Sequence, residues 1–384
     1  MNTRFPRAAA TIVGAATYGI GRNPGYSPVD MAAVASLRAL EEAGIALNEV
    51  DGLFFTDPFD PWGGTMFAQY LGLRPKVLEN TRLGGSAFEN YVEIAACMLA
   101  AGVIDVALIA FGSNQASALG KLPRTMLPFP YEAPYKPLPP VSAYALAANR
   151  YQTRFGLKRE QLGEVALAAR KWAQLNPDAM KRDPLSMDDY LAARMVSDPL
   201  GVLDCCLVTD GAGAIVMTRP DRARDTGKPA IHVLGAASVT THHYISAMPD
   251  LVVTGVAEAA PRAYAAAGIT AADADVVELY DAFTINTIFF LEDLGFCPKG
   301  EGARFVEDGA IAPGGRLPVN TNGGGLSCMH PGMYGLFTLI EAVRQLRGEA
   351  GERQVNGAEI AIAQGNGGVL SSQGVVVLGT DSTR

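Results

Sequence analysis

Ala39-Leu-Glu-Glu-Ala-Gly-Ile-Ala-Leu-Asn-Glu-Val-Asp51 and Ala263-Tyr-Ala-Ala-Ala-Gly-Ile-Thr-Ala-Ala-Asp-Ala-Asp275 align without a gap. Both read as the end of an apolar helix, a glycine stop and a short connection into a buried strand. A repeat of this kind predicts two similar α/β halves rather than one long domain. Ala-Gly followed by an apolar residue is also a common helix ending, so the match alone leaves a chance repeat open.

The pattern extends outward from each copy. Before the first, Ala8 to Gly14 reads as a buried strand, Ser27 or Asp30 as an N-cap, and Met31 to Ala43 as a helix stopped by Gly44. After it, Val77 to Asn80 leads into Thr81-Arg-Leu-Gly84-Gly85-Ser86, then a small-residue helix over Ala87 to Ala101 and a strand over Ile104 to Phe111. From 120 to about 196 the chain turns Pro- and Tyr-rich and then amphipathic, which marks an insertion with its own structure. The core resumes at Asp198-Pro-Leu-Gly, and the second half begins near Lys228. The expected division is 1–227, carrying the insertion at about 120–196, and 228–384.

Composition narrows the function classes. With 384 residues, 49% hydrophobic and 18% charged, the chain can bury a large core. A net charge of −8 without a long basic run argues against nucleic acid as a partner. Cysteines 97, 205, 206, 297 and 328 form no CxxC framework, which speaks against a structural metal or disulfide scaffold and for a reducing, cytoplasmic setting. No stretch approaches the roughly 20 apolar residues of a membrane span.

Polar clusters fall at the ends of buried strands, where α/β proteins build sites. Asn320-Thr-Asn-Gly-Gly-Gly-Leu-Ser-Cys-Met-His330-Pro-Gly-Met-Tyr334 joins a glycine-rich loop to an amphipathic helix. It places His330 and Tyr334 near a helix start, a favourable field for developing negative charge. Val276-Val-Glu-Leu-Tyr280-Asp281-Ala-Phe runs a strand into a helix. Glu359 to Ala363 is a strand expected to break at Gln364-Gly365-Asn366-Gly367-Gly368 and to resume at Gly374. The Gly-Gly-Ser turn offers Ser86 at a helix N-terminus as an N-cap or an oxyanion donor. A packed histidine, buried phenols and ordinary helix caps are the plain alternatives for each cluster.

Taken together, Ile12-Val-Gly-Ala, Asn176-Pro-Asp-Ala, Asp198-Pro-Leu, Leu203-Asp-Cys-Cys206, Asp210-Gly-Ala-Gly-Ala, Tyr280-Asp-Ala-Phe and His330-Pro-Gly resemble the thiolase superfamily, specifically its sterol-carrier (lipid-transfer-protein) type, over nearly the whole chain. The resemblance implies an α/β thiolase fold, a duplicated αβαβα five-layered core with a loop-domain insertion. It also implies a homodimer and coenzyme A thioesters as substrates, with no bound cofactor and no metal. Three departures matter. The nucleophilic cysteine position of the glycine turn aligns with Ser86, the second catalytic cysteine with Gly365, and the Asn or His that opens the family's strand-end motif with Tyr280.

Thiolytic cleavage needs a thiolate to accept the acyl group. A serine hydroxyl is about five pKa units or more weaker an acid, and no base is evident beside Ser86. Retro-aldol cleavage of a β-hydroxyacyl-CoA forms no acyl-enzyme and needs only a base, an acid and donors for the enolate oxygen. The pattern is similar to thiolase-like aldolases of steroid side-chain degradation, which lack the cysteines and work with a small partner having an OB fold and a zinc ribbon. The expected activity is therefore a carbon–carbon lyase on a β-hydroxyacyl-CoA, a steroid side-chain thioester among the candidates, releasing a ketone or aldehyde and a shorter acyl-CoA. His330 is expected as enolate-oxygen donor, Tyr280 and Tyr334 as the acid/base pair, and Asp281 as the group that orients or deprotonates them. Ser86 and Gly365 supply backbone donors, and Tyr244, His243 and Asn366 contact substrate. One tyrosine must fall below its usual pKa of roughly 10 to act as base. An atypical acyltransferase using Cys328 or Ser86, and a non-catalytic acyl-CoA or lipid-binding scaffold, are the competing expectations.

Overall fold

Nine strands lie side by side in a computed structural model that describes residues 5–57, 60–118, 130–225 and 227–384. In chain order the strands are β1 (Thr11–Gly21), β2 (Gly52–Phe55), β3 (Val77–Glu79), β4 (Val106–Ser113), β5 (Met195–Ser197), β6 (Leu200–Gly201), β7 (Asp210–Thr218), β8 (Ile231–Thr240), β9 (Val276–Glu278), β10 (Ile360–Gly367) and β11 (Ser372–Gly379). The sheet order is β3-β2-β4-β7-β1-β8-β11-β10-β9, and β5-β6 form a separate ribbon. The two halves meet where β1 pairs with β8 through Thr11 with His232 and Ile12 with Ile231.

Each half repeats the other strand for strand. β1, β2, β4 and β7 correspond to β8, β9, β10 and β11. Val319, which bridges Val277 in parallel, stands where β3 stands beside β2. The two copies of the sequence repeat lie at matching places. Gly44 and Gly268 end their helices at φ 63° and 70°, a left-handed conformation that glycine adopts without a Cβ clash. The Asp51 carboxylate then accepts the N–H groups of Asp105 and Val106 at 2.9 Å, where β4 begins. Asp275 accepts those of Glu359 and Ile360 at 2.8 and 2.9 Å, where β10 begins. These aspartates satisfy donors at the strand starts that would otherwise be costly to bury.

Five layers follow from where the helices pack. The Pro28–Ala43 helix covers β1, β7 and β4 on the outside, and the Val256–Ala267 helix covers β8 and β11. The Ala87–Ala100 and Gly335–Leu346 helices lie between, each touching strands of both halves. Gly335–Leu346 is buried nearly all round, as expected for a helix without a solvent face, whereas Ala87–Ala100 keeps a partly open stripe through Asn90, Glu93, Ile94 and Cys97.

Two local expectations change. The first strand starts at Thr11, because Ala8 sits at φ 54° and turns the chain, and it runs past Gly14 to Gly21. The strand at Glu359–Ala363 does not break at Gln364. It continues to Gly367, pairing Gly365 with Gly374 and Gly367 with Ser372. The glycines there make room for the central helix: a Cβ on Gly365 would lie 1.8 Å from Oε2 of Glu89, and one on Gly374 2.5 Å from the Glu89 Cβ. Of the insertion, 120–129 lies outside the described residues. Its later part forms helices Val141–Phe155, Arg159–Gln174 and Met187–Ala192. No helix among the described residues is long and apolar enough to cross a membrane.

Candidate active site

A cavity of about 540 Å³ collects strand-end and loop residues from both halves and from the insertion. Tyr280 and His330 form its buried polar floor, 5% and 4% exposed, with the phenol oxygen 3.1 Å from His330 Nε2. Several bonds fix the backbone under Tyr280. The N–H of Leu279 donates to Oδ1 of Asn320 at 2.6 Å, and that of Tyr280 to Oε1 of Gln364 at 3.2 Å. Asn320 makes its contact from φ 53°, which asparagine tolerates better than most residues. His330 is held by backbone contacts: its N–H donates to the Thr209 hydroxyl at 3.1 Å, and its carbonyl accepts Nε2 of Gln115 at 2.8 Å.

Burial sets the protonation of this pair. It depresses the His330 pKa to about 4, so the imidazole is neutral at physiological pH. It pushes the Tyr280 phenol well above its usual 10, with the Cys206 thiol adding to the rise. The expectation of a tyrosine lowered toward neutrality is therefore corrected, because the Tyr334 phenol is also raised well above 10 by burial and by Asp281. Both phenols are proton donors.

Other sequence-predicted residues sit elsewhere. Tyr334 lies behind the floor, its ring 5.9 Å from that of Tyr280, and its hydroxyl donates to Oδ1 of Asn322 at 2.8 Å, away from the cavity. Asp281 is turned from Tyr280 and accepts the N–H of Gly325 at 2.6 Å, which anchors the Gly324–Cys328 turn. Burial raises its pKa to about 7. The Ser86 hydroxyl donates to the Leu83 carbonyl at 3.1 Å and does not line the cavity, and neither does Gly365. Their neighbours Gly84, Gly85, Gly367 and Gly368 do. A Cβ on Gly84 would lie 2.9 Å from the Gly368 nitrogen, so the two glycine turns cross in contact. Of the expected substrate contacts, His243 and Asn366 line the cavity and Tyr244 does not. Cys328 is fully buried beside Nδ2 of Asn176, outside the cavity, and its thiol is raised by burial.

Three wall residues escape the sequence reading. Gln115 stands two residues past the end of β4, and this strand-end position was a usable signal. Cys206 lines the cavity, its thiol pushed well above 9 by burial. Tyr144 comes from the insertion, its ring stacked on Phe283 at 4.4 Å. It sits on an Ala-rich helix with no polar motif around it. His242, which the sequence offers with Thr241, His243 and Tyr244 as a lining of the coenzyme A entry or as a polar surface loop, lines the cavity and donates from Nε2 to the Val369 carbonyl, 3.0 Å away. Among the described residues no cluster of metal-ligating side chains occurs.

Two duplicated halves closed over a strand-end cavity define a thiolase-fold protein, here with Ser86 and Gly365 where thiolate chemistry would need cysteines and with a phenol beside the imidazole. Residues 237–380 match the family model described as thiolase C-terminal domain-like. The chain is 34% identical to 17-hydroxy-3-oxo-4-pregnene-20-carboxyl-CoA lyase of Mycobacterium tuberculosis, over 94% of this chain and 97% of that one. It is 31% identical to a steroid side-chain-cleaving aldolase of Thermomonospora curvata, over 97% and 98%. Among solved structures, the Ltp2-ChsH2(DUF35) aldolase superposes with a TM-score of 0.90 at 30% identity, covering 98% of this chain and 99% of that one. The chain belongs to the thiolase superfamily, in its sterol-carrier type, among the thiolase-like chains that lack the catalytic cysteines.

Proposed function

We propose that this protein is a carbon–carbon lyase, an aldolase that cleaves a β-hydroxyacyl-CoA by retro-aldol chemistry, with steroid side-chain thioesters as the substrate class. The observation that carries the reading is the 3.1 Å contact between a protonated Tyr280 and a neutral His330 in a cavity whose glycine turn bears no cysteine. His330 accepts the proton of the substrate's β-hydroxyl, the Cα–Cβ bond breaks, and the electron pair moves into the thioester enolate. Tyr280 protonates Cα, and the imidazolium then returns its proton to the phenolate across the same contact. Both groups are restored, and the products are a ketone or aldehyde and a shorter acyl-CoA. The crossing turns Gly84–Gly85 and Gly367–Gly368 bring backbone close to where the thioester oxygen would lie.

His330 thus acts as base rather than as the enolate donor expected from sequence, because its unprotonated ring nitrogen faces the phenol at 3.1 Å and can take up a proton there, which the Gly332 carbonyl at 3.5 Å cannot. Asp281 acts as a positioning residue for the loop before His330. The protein works as a homodimer, as its resemblance to the thiolases implies, together with a second protein of the DUF35 type; the likeness to the Ltp2-ChsH2(DUF35) aldolase, which couples two components in its name, supports the second part. The test is an assay of the chain, alone and with proteins co-purified from its host, on a panel of β-hydroxyacyl-CoA thioesters, with carbonyl product and shortened acyl-CoA both quantified. Stoichiometric release of the two supports the lyase. Covalent acylation of Cys206, Cys328 or Ser86 by a 3-oxoacyl-CoA would replace it with acyl transfer.

A further inference from the structure

Four buried side chains link the backbone of Tyr280 to the insertion in one directed sequence of hydrogen bonds. The Tyr280 N–H donates to Oε1 of Gln364 at 3.2 Å, and Nε2 of Gln364 donates to Oε1 of Gln373 at 2.8 Å. Nε2 of Gln373 donates to Oδ1 of Asn366 at 2.8 Å, and Nδ2 of Asn366 donates to the Tyr144 hydroxyl at 2.8 Å. Tyr144 closes the sequence by donating to the Gly368 carbonyl at 3.1 Å. Gln364 and Gln373 are fully buried, and Asn366 and Tyr144 are each 2% exposed. Every amide accepts on its oxygen and donates from its nitrogen in the same direction, so turning over Gln364 or Gln373 would set like groups face to face on both sides, and turning over Asn366 would do so against Gln373. Fully buried, the Gln364–Gln373 pair holds one orientation.

The ends of the chain and its middle have different access. Asn366 and Tyr144 line the cavity, whereas Gln364 and Gln373 do not. The cavity groups are therefore oriented from behind. We propose that Gln364 and Gln373 are positioning residues that fix Asn366 and Tyr144 for the acyl-CoA, and that Tyr144, supplied by the insertion, is a substrate-positioning residue. Its ring is clamped flat on Phe283 while its hydroxyl is locked at both ends. The proposal rests on the cavity being the acyl-CoA site described above.

The test uses octanoyl-CoA, which has no β-hydroxyl to cleave, titrated calorimetrically into the full chain. Wild type, Gln373→Leu, Tyr144→Phe and the double variant form a cycle. Each single change is expected to weaken binding roughly tenfold, the size of one or two lost buried hydrogen bonds, and the double no more than about tenfold in all. Gln373→Met keeps the side-chain length and cannot donate to Asn366 in any protonation state, so it carries the test should the leucine variant fail to fold. Unaltered binding in the Gln373 variants, or losses at 373 and 144 that multiply independently, would overturn the proposal. If no β-hydroxyacyl-CoA is cleaved, the lyase reading falls while the binding cycle still decides the role of the chain. Where cleavage is measured, the same variants raise KM more than they lower kcat.

Discussion

A β-carbon on Gly85 would lie 2.0 Å from Cε2 of Tyr280 and 2.8 Å from the Asn366 carbonyl oxygen. The tyrosine ring occupies the space into which a side chain at position 85 would point. The Tyr280 phenol and a side chain at position 85 therefore exclude one another. Gly85→Ala is expected to displace the ring, break its contact with His330 and lower kcat/KM on the order of a hundredfold or more, since misplacement by about an ångström is enough for such a loss. Gly85→Cys would meet the same obstruction, and a thiol at this position, one residue before the one that carries the family's nucleophile, is not expected to make a thiolase. The structure of the alanine variant, with activity measured beside it, checks both; an unmoved Tyr280 with full activity would refute the steric account.

The two tyrosines predict opposite results. Tyr280→Phe removes the acid that touches His330 and should lower kcat by about 10²- to 10⁴-fold, the usual contribution of general acid–base groups. Tyr334→Phe removes a buried hydrogen bond to Asn322, which also accepts the N–H of Gly324 at 2.7 Å. It should cost about 1 kcal/mol of stability and leave kcat within a few-fold of wild type. Steady-state kinetics and chemical unfolding on both variants separate the roles. Equal kinetic losses would return Tyr334 to the reaction.

That contrast shows how far the sequence could be read. The repeat around Gly44 and Gly268 was legible because both copies obey the same demand, a helix stop followed by an aspartate that caps the next strand. Tyr280 and His330 were legible because each ends a buried segment with a polar group. Side-chain direction was not. Ser86 and Gly85 are adjacent, yet only the glycine faces the cavity, because the helix begins at Ala87 and turns the serine hydroxyl back to Leu83. Tyr334 follows His330 by one helical turn in number, but the intervening Pro331-Gly332 bend places its hydroxyl on the far side of the floor. Tyr144 left no sequence signal, since its role depends on partners more than 130 residues away in the chain.

Glu89 on the central helix gives a pH prediction. Burial raises its carboxyl from 4.5 to about 8, the Thr338 hydroxyl at 3.1 Å offsetting this only in part, and Oε2 has no partner among the described residues. The folded state holds this proton more tightly than the unfolded chain does. The stability it contributes is fully present below pH 4.5 and is lost as pH rises through about 8. Glu89→Gln cannot ionise, so its stability relative to wild type should increase steadily between those values, by on the order of a few kcal/mol, and then level off. Asp281 and His330 titrate in both proteins and cancel from the difference. Denaturant unfolding at a series of pH values measures it, and a difference independent of pH would show that Glu89 is ionised in the fold.

The duplication can be tested energetically at Gly14 and Gly235. A Cβ on Gly14 would lie 2.0 Å from the Ala39 carbonyl oxygen, and one on Gly235 2.2 Å from that of Ala263. Ala39 and Ala263 are the first residues of the two repeat copies, so strand and outer helix approach at the same point in each half. The obstruction is backbone, which cannot rotate away, and separating helix from sheet opens the packing on either side. Gly14→Ala and Gly235→Ala should each destabilise by roughly 1–3 kcal/mol or more, the range for overpacking a tight contact. The two losses should be similar and, being in separate outer layers without a shared partner, additive in the double variant. Unfolding midpoints of the three variants decide the matter: a large penalty in one half and none in the other would mean that the halves share topology but not their packing.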